Sequence, residues 1–586
     1  MVKKKSDITK NKRTKNTDDQ ALTHIRQLAW TGQHAAAIDS ATEAFATLGK
    51  GDSRVAPTMM SLLDLRAESY VAIGKLDLAM KDAKAMKTLG TTTVLKTQAL
   101  NRLALVQMRT GDLNGAVKSA TAAVGKAELN STLRAESLFR LAEAQLRTRQ
   151  TEAAVESAQK AITLYQELGD DSGAGRAYWA MALAYFNSNR AEDSLRAAQT
   201  ALELCQKAGD GYGMGNALNA LSNTDLDIAE RIQHLQQAQQ AFETAGYAER
   251  QTVALSNLAI AYMELGLYPH SSRLQSEVVE MDRAMGAKVG VAYDLGNLIQ
   301  PELILGDLAS ARQHLQEFAT LVPDLGDPIM ESNLFGNWAE LALIAGDLKT
   351  AIRQQKSALK IAREVKTGTE HTTLTELAKM HLAAGDPAAA LKATSKATAL
   401  HRAQNFARPD GFPAQAIWWR HVQALNANKK TKETHEALDR AYDLLLGSIT
   451  NIRDAGLRRN ALNKVEDNRK LLQYWVSKGG SRSAPTGTYP HLAIESNLRE
   501  PFQRLADTGL RLNALHTLER IQTFLVEEAT ELIGGERTML ILEKDGARQV
   551  AESILPLPSY QSGKGYEKAE DPQDVLKRIG KYLDQA

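Results

Sequence analysis

Apolar and small residues recur along this chain with a period near forty, longer than any single helix or strand. The segments TGQHAAAI, IGKLDLAM, TGDLNGAV, LGLYPHSS, LGDLASAR, AGDLKTAI and AGDPAAAL share one frame. In each, a Gly is followed five residues later by a small residue. The glycines are Gly32, Gly74, Gly111, Gly266, Gly306, Gly346 and Gly385, with Arg149 and Asn189 at that place in two further units and Ala229 in a blurred one. Successive spacings are 42, 37, 38, 40, 40, 37, 40, 40 and 39 residues. This frame predicts ten units, with an eleventh around Ile417 to Leu446.

Each unit reads as two antiparallel helices. An Ala stands seven residues before the turn and a large apolar residue eight before, as in Leu103-Ala104, Met181-Ala182, Leu258-Ala259, Trp338-Ala339 and Leu377-Ala378. After the turn, small residues recur at helical spacing, as in Ala116, Ala120 and Ala123, or Ala154, Ala158 and Ala161. Small side chains let two helices approach closely, and large ones fill the grooves beside them. The Gly supplies the backbone freedom with which the first helix stops. The Asp that often follows, as in Gly111-Asp112 and Gly346-Asp347, can cap the second helix.

The pattern changes beyond residue 446. Residues 447–477 predict further capping helices, and KGGSRSAPTGTYP (478–490) predicts a linker. In 491–514, Leu498, Phe502, Leu505, Gly509 and Leu512 recur at spacings 4, 3, 4, 3, with Pro501 placed to start a helix. This seam suits either a homodimer through 498–512 or one amphipathic helix packing on its own domain. Residues 515–586 open with a helix ending at Gly534-Gly535. Two strand-like runs follow, Thr538 to Leu542 and Gln549 to Ile554, around the turn Lys544-Asp545-Gly546. A lone hairpin leaves an unpaired edge, so 536–586 is expected to be the least stable part.

The frame Leu258-Ala259…Tyr262…Gly266…Tyr268 resembles the tetratricopeptide repeat, and the likeness covers residues 18–446 in a lengthened, forty-residue form. The resemblance implies a mostly α fold, a right-handed α-superhelix whose concave face is lined by the first helix of each unit. Leu525, Val526, Glu528, Ala529 and Leu532, with Glu536-Arg537 leading into Met539 to Leu542, resemble the opening of a GAF domain. The remainder is too short for a complete one, so a small, incomplete α+β GAF-like segment is expected at 515–586, with no ligand site carried over. The whole resembles bacterial multidomain signalling regulators.

Asn257, Asn297 and Asn337 occupy one place in three successive units, 40 residues apart. By the resemblance, that place borders the groove, where asparagines bind the backbone of an extended peptide. A carboxamide both donates and accepts, so it can match a peptide group without reading its side chain. The same residues could also be polar positions on exposed faces, or bonds between adjacent helices. Asn216, Asn219, Asn223 and Asn333 lie near by the same count.

Composition narrows the function. The chain has 586 residues, with 71 Lys and Arg against 69 Asp and Glu, a balance that argues against a nucleic-acid surface. The single cysteine, Cys205, excludes an internal disulfide and fits a cytoplasmic location. There is no 18-residue apolar run to span a membrane and no signal peptide. Lys3, Lys4, Lys5, Lys10, Lys12, Arg13 and Lys15 mark residues 1–17 as a disordered basic tail, solvated or touching an acidic partner. No Walker loop, GxSxG, HExxH or CxxC motif occurs. GAGRAY (173–178) and GYGMGN (211–216) read as connectors between units. The pairs His371 and His381, or His421 and His435, lack the spacing that puts two imidazoles on one helix turn, and Trp418-Trp419 reads as core of the last repeat. No catalytic residue, metal or cofactor is therefore expected. The chain reads as a non-catalytic protein–protein interaction scaffold in signal transduction that binds a protein or peptide partner. The alternative is a fragment of a larger GAF-containing sensor enzyme, of nucleotide cyclase or histidine kinase type, whose catalytic domain lies outside these residues.

Overall fold

A computed structural model describes residues 19–48, 55–127, 130–188, 190–224, 227–365, 368–409, 411–478, 491, 512, 517–535, 537–544, 547–555, 560–561, 565–566 and 570–583. The basic tail, most of the 478–490 linker and nearly all of the 498–512 seam lie outside these residues.

The predicted two-helix unit is the one that forms. Eleven helical hairpins follow in order among the described residues. The first six are 19–30 with His34–Thr47, Ala56–Ala72 with Leu76–Leu89, Thr93–Thr110 with Leu113–Lys126, Ser131–Arg147 with Thr151–Leu168, Asp171–Asn187 with Ala191–Ala208, and Gly211–Ser222 with Ile228–Thr244. The rest are Ala248–Glu264 with Tyr268–Met285, Lys288–Leu305 with Leu308–Leu325, Pro328–Ile344 with Leu348–Glu364, Glu370–Ala383 with Pro387–Ala403, and Ala414–Ala427 with Thr431–Thr450. The fold class is an α-superhelix of tetratricopeptide-like hairpins with a small C-terminal α+β segment.

The turn residues behave as their chemistry requires. All seven frame glycines have φ between +73° and +86°, and Arg149 (+60°) adopts the same left-handed conformation. Lys429 (+59°) does so in the eleventh hairpin. Ala229 does not mark a turn; it lies inside the helix Ile228–Thr244. The aspartates cap as predicted: Asp112, Asp307, Asp347 and Asp386 accept from the backbone N–H of Gly115, Ser310, Thr350 and Ala389 at 2.9, 3.2, 3.0 and 3.0 Å. Ala116, Ala120, Ala123, Ala154, Ala158 and Ala161 are all buried at the helix contacts.

A second sequence expectation is corrected. GAGRAY and GYGMGN are not connectors but helix, within Asp171–Asn187 and Gly211–Ser222. The connectors are only Gly169-Asp170 and Gly209-Asp210, whose aspartates cap the helices that follow. The helical glycines serve close packing: a Cβ on Gly175 would sit 2.5 Å from Cys205 Sγ, and one on Gly215 2.6 Å from the Phe242 ring.

The chain divides into two compact units. Unit 1 comprises Met1–Asp225, Glu230–Leu258 and Glu280–Val289; unit 2 comprises Leu226–Ala229, Ala259–Val279 and Gly290–Ala586. Within unit 1 the first hairpin meets the sixth. His34 Nε2 lies 3.0 Å from Ala245 O, and a Cβ on Gly32 would stand 2.5 Å from Thr244 O. Within unit 2, Gly266 packs against Lys464, and helices Ala455–Asn463 and Glu466–Ser477 follow the last hairpin.

Helix Leu518–Ile533 docks on the first of those helices. Asn460 Nδ2 donates to Thr530 O at 2.9 Å, and Arg459 Nε to Ile533 O at 2.7 Å. It also covers an antiparallel pair, β1 (Thr538–Lys544) and β2 (Ala547–Ile554), which runs from Thr538↔Ile554 to Lys544↔Ala547 with an irregularity between Leu540 and Ile541. A second pair, β3 (Tyr560–Gln561) and β4 (Gly565–Tyr566), is not joined to it. Helix Pro572–Leu583 ends the segment; Glu570, just before it, accepts from Arg537 at 2.7 Å and from Arg578 at 2.8 Å. Among the described residues no helix is long and apolar enough to cross a membrane.

Candidate functional site

Residues nine and six places before each turn are three apart, so they stack on one face of the first helix of the unit. Over four successive hairpins of unit 2 these are Asn297 and Gln300, Asn337 and Glu340, Glu376 and Lys379, then Arg420 and Gln423. All eight line a single cavity of about 930 Å³. Asn333 joins them, as do Gly296 and Gly336, the latter with nothing within 4 Å of where a Cβ would stand. Tyr268 and Gln275 form part of another wall, and Glu466, Asp467 and Lys470 of the capping helix form a third.

The rungs are tied sideways. Gln300 Nε2 donates to Asn337 Oδ1, and Asn337 Nδ2 donates to Gly296 O at 3.4 Å. Lys379 Nζ donates to Glu340 at 2.6 Å, and Arg420 donates to Gln423 at 2.6 Å and to Asp467 at 3.1 Å. Among the described residues, the ion pair of Glu376 is with Lys379, at 3.9 Å. Burial, with Glu340 and Asp467 close by, pushes the Glu376 carboxyl above its usual range against the pull of Lys379. Lys379 is held above its usual range: burial opposes its charge, but Glu340 and Glu376 outweigh that.

The three sequence-predicted asparagines therefore part company. Asn297 and Asn337 line the cavity; Asn257 belongs to unit 1, where its Nδ2 donates to Asn219 Oδ1 at 2.9 Å. Asn216 is also internal, donating to Tyr212 O at 2.9 Å.

In unit 1 the corresponding faces carry ion pairs. Arg102 and Arg140 stand nine places before their turns, and Arg109 and Arg147 two places before. Arg102 binds Asp64 at 2.7 Å and Glu68 at 3.1 Å, and Arg176 binds Asp210 at 2.6 Å. Glu143 accepts from Arg109 at 3.3 Å and from Arg140 at 3.2 Å. Burial opposes its ionisation, but the arginines outweigh this and hold the Glu143 carboxyl at about 2. Sequence reasoning passed over these arginines. The signal was present: NRLALVQMRT and FRLAEAQLRT carry Arg at both places in successive units.

Trp418 and Trp419 are buried, as predicted for core. Trp418 Nε1 donates to His401 Nδ1 at 3.0 Å, so the His401 proton sits on Nε2 and is donated to Ala407 O at 3.0 Å. His371 stacks on His401 with centroids 6.0 Å apart. Burial lowers both, and burial with Arg402 nearby lowers His421 to about 4. Among the described residues, one His–carboxylate group has ligand atoms within 4.8 Å of one another, namely His270, Glu528 and Glu531. The adjacent Glu527 accepts from Arg273 at 2.6 Å and lies 3.3 Å from His270 Nε2.

The tetratricopeptide repeat profile matches residues 135–168, which are all but the first turn of Ser131–Arg147 and the whole of its partner Thr151–Leu168 in the fourth hairpin. No curated protein matches the chain by sequence. Several solved structures are similar to it. A Rap protein complexed with Competence and Sporulation Factor shares 15% identity over 60% of this chain and 99% of that one, with a TM-score of 0.43. The apo form of the quorum sensor NprR from B. thuringiensis shares 13% over 59% and 98%, with a TM-score of 0.45. A signal-transduction ATPase with a tetratricopeptide repeat sensor from Pyrococcus horikoshii shares 16% over 59% and 52%, with a TM-score of 0.40.

Proposed function

We propose that this chain is a non-catalytic interaction scaffold that binds an extended segment of a protein or peptide partner in the unit 2 cavity. One observation carries the reading: eight polar side chains at two repeat positions converge on one space, beside Gly296 and Gly336. The amide end of this ladder, Asn297, Gln300, Asn333 and Asn337, offers donors and acceptors in the alternation that a peptide backbone presents. The volume falls within the range of cavities that enclose small ligands or short peptide stretches. In the unliganded chain Gln300 bonds Asn337, and Asn337 bonds Gly296 O, so binding exchanges those bonds for bonds to the peptide. A role in signal transduction rests on the resemblance of residues 515–555 to the opening of a GAF domain.

Selection from a displayed peptide library tests the proposal. Peptides enriched on the full chain should bind the triple variant Asn297→Ala, Asn333→Ala, Asn337→Ala about tenfold more weakly or worse, as expected when two or more buried hydrogen bonds are lost. Enrichment indifferent to all three substitutions would sink it.

A further inference from the structure

The interior of unit 1 gathers four arginines, Arg109, Arg140, Arg147 and Arg250, about Glu143, with Glu249 as the second carboxylate. Arg109, near the end of helix Thr93–Thr110, and Arg147, the last residue of Ser131–Arg147, share their surroundings with Glu143, Glu249 and Arg250. Arg109 reaches Glu143 at 3.3 Å, the Tyr212 hydroxyl at 3.1 Å and Glu249 at 3.6 Å. That leaves Arg109 Nε and Nη1 without a hydrogen bond, on a side chain 2% exposed. Arg250, 8% exposed, has no hydrogen bond on Nε or Nη2. Its guanidinium instead lies over aromatic faces, 5.3 Å from the Trp179 ring centre and 5.9 Å from that of Tyr212. Among the described residues no carboxylate stands within ion-pair distance of Arg147 or Arg250.

Buried guanidinium N–H groups are costly to leave unmade, and such an orphan set calls for a missing partner. Two features say that the partner is an anion. Burial and the nearby Arg109 and Arg250 lower Arg147 to about 10, so positive charge is in local excess. Arg250 also lies in the first turn of Ala248–Glu264, where the helix dipole disfavours a cation and favours an anion.

We propose that Arg109, Arg147 and Arg250 form a binding site for a small oxyanion, a carboxylate or phosphate group, in the interior of unit 1. Planar guanidinium forks match such oxygens two at a time. An added negative charge would offset part of the excess of Arg109, Arg140, Arg147 and Arg250 over Glu143 and Glu249. The aromatic faces of Trp179 and Tyr212 hold Arg250 in place for it.

Calorimetric titration of the full chain with inorganic phosphate and, separately, with acetate, in a chloride buffer of constant ionic strength, tests this. Saturable binding of at least one of them is expected, and the stronger arm identifies the group. Arg250→Met keeps the packing against Trp179 but removes the donors, and should weaken binding about tenfold or more. Arg147→Gln, at a half-buried position, should do the same and stands in if the first variant fails to fold. Lys160→Ala, which removes a 59% exposed cation from the surface of the same unit, should leave the titration unchanged. No saturable binding in either arm would mean that aromatic contact alone accommodates Arg250, and would overturn the site. Binding equally strong in Arg250→Met and Arg147→Gln would do so too.

Discussion

The two units are built from one hairpin and use its inner face in opposite ways. In unit 1 the places nine and two residues before the turn hold arginines, of which Arg102 and Arg109 meet carboxylates from other repeats while Arg140 meets Glu143, 1% exposed, on its own helix. In unit 2 the places nine and six before the turn hold mostly amides and half-buried charges, and a cavity of about 930 Å³ stays open between them. A repeat frame thus fixes where a side chain points, while its chemistry decides whether that face closes on itself or waits for a ligand.

The sharpest way to break this contrast is to remove one acid from each unit. Glu143→Ala would strand Arg109 and Arg140 in the interior and should cost about 3–5 kcal/mol in urea unfolding. Glu340→Ala removes a partner of Lys379, whose side chain is 32% exposed to the cavity, and should cost about 1 kcal/mol or less. Equal losses would show that the two faces are alike after all.

The hairpins themselves were readable because a turn Gly and an Ala stripe are local signals. Lys429 was the harder turn, since a lysine at φ +59° is held by its surroundings and not by its own preference. GAGRAY and GYGMGN misled because Gly serves two ends, turning a chain and admitting a neighbour; choosing between them needs Cys205 and Phe242, which lie on other helices. The site was half legible. Asn297 and Asn337 stood out by repetition, but Glu376 and Arg420 break the Asn pattern at the same place. Gln300, Glu340, Lys379 and Gln423 acquire meaning only once the units stack. Nothing in the repeat announces that residues 464–470 will wall the cavity, because they lie beyond the last hairpin and meet residues as far back as Tyr268.

The closures offer a second test. Gly32, Gly266 and Gly346 all have positive φ, so replacement by Ala should cost each about 1 kcal/mol. Gly346 has nothing near its missing Cβ, whereas at Gly32 that atom would meet a backbone oxygen at 2.5 Å. Gly32→Ala should therefore lose about 2 kcal/mol more than Gly346→Ala, and Gly266→Ala, whose Cβ would meet the Lys464 Cβ at 2.5 Å and backbone atoms at 3.0 Å, should lose a similar excess. An identical loss at all three would mean that the closures contribute nothing.

Acid distinguishes the units next. The folded pKa values of His371, His401 and His421 in unit 2, and of His34 in unit 1, lie below the unfolded value near 6.5. Above that pH the groups are neutral in both states. As pH falls through 6.5 the unfolded chain takes up protons first, and stability drops until pH passes the folded values, about 4 for His421. Unit 2, with three such histidines around Trp418, should lose about 2 kcal/mol between pH 7 and pH 5, read from tryptophan fluorescence in urea. His421→Gln should flatten that slope; an unchanged slope would remove His421 from the account.

The smallest effect separates position from role. Asn257, Asn297 and Asn337 share one place in the frame, yet Asn257 gives its N–H to Asn219 in unit 1 while Asn337, bonded to its neighbours, lines the unit 2 cavity. If place in the repeat determined function, Asn257→Ala and Asn337→Ala would weaken a selected peptide alike. The geometry predicts otherwise. Asn257→Ala should cost about 1 kcal/mol of stability, the worth of one side-chain hydrogen bond, and leave peptide affinity unchanged. Asn337→Ala should cost a similar amount and also lower affinity, since its carboxamide faces the ligand. Peptide binding that tracked Asn257 as closely as Asn337 would place the groove along the whole frame and not within unit 2.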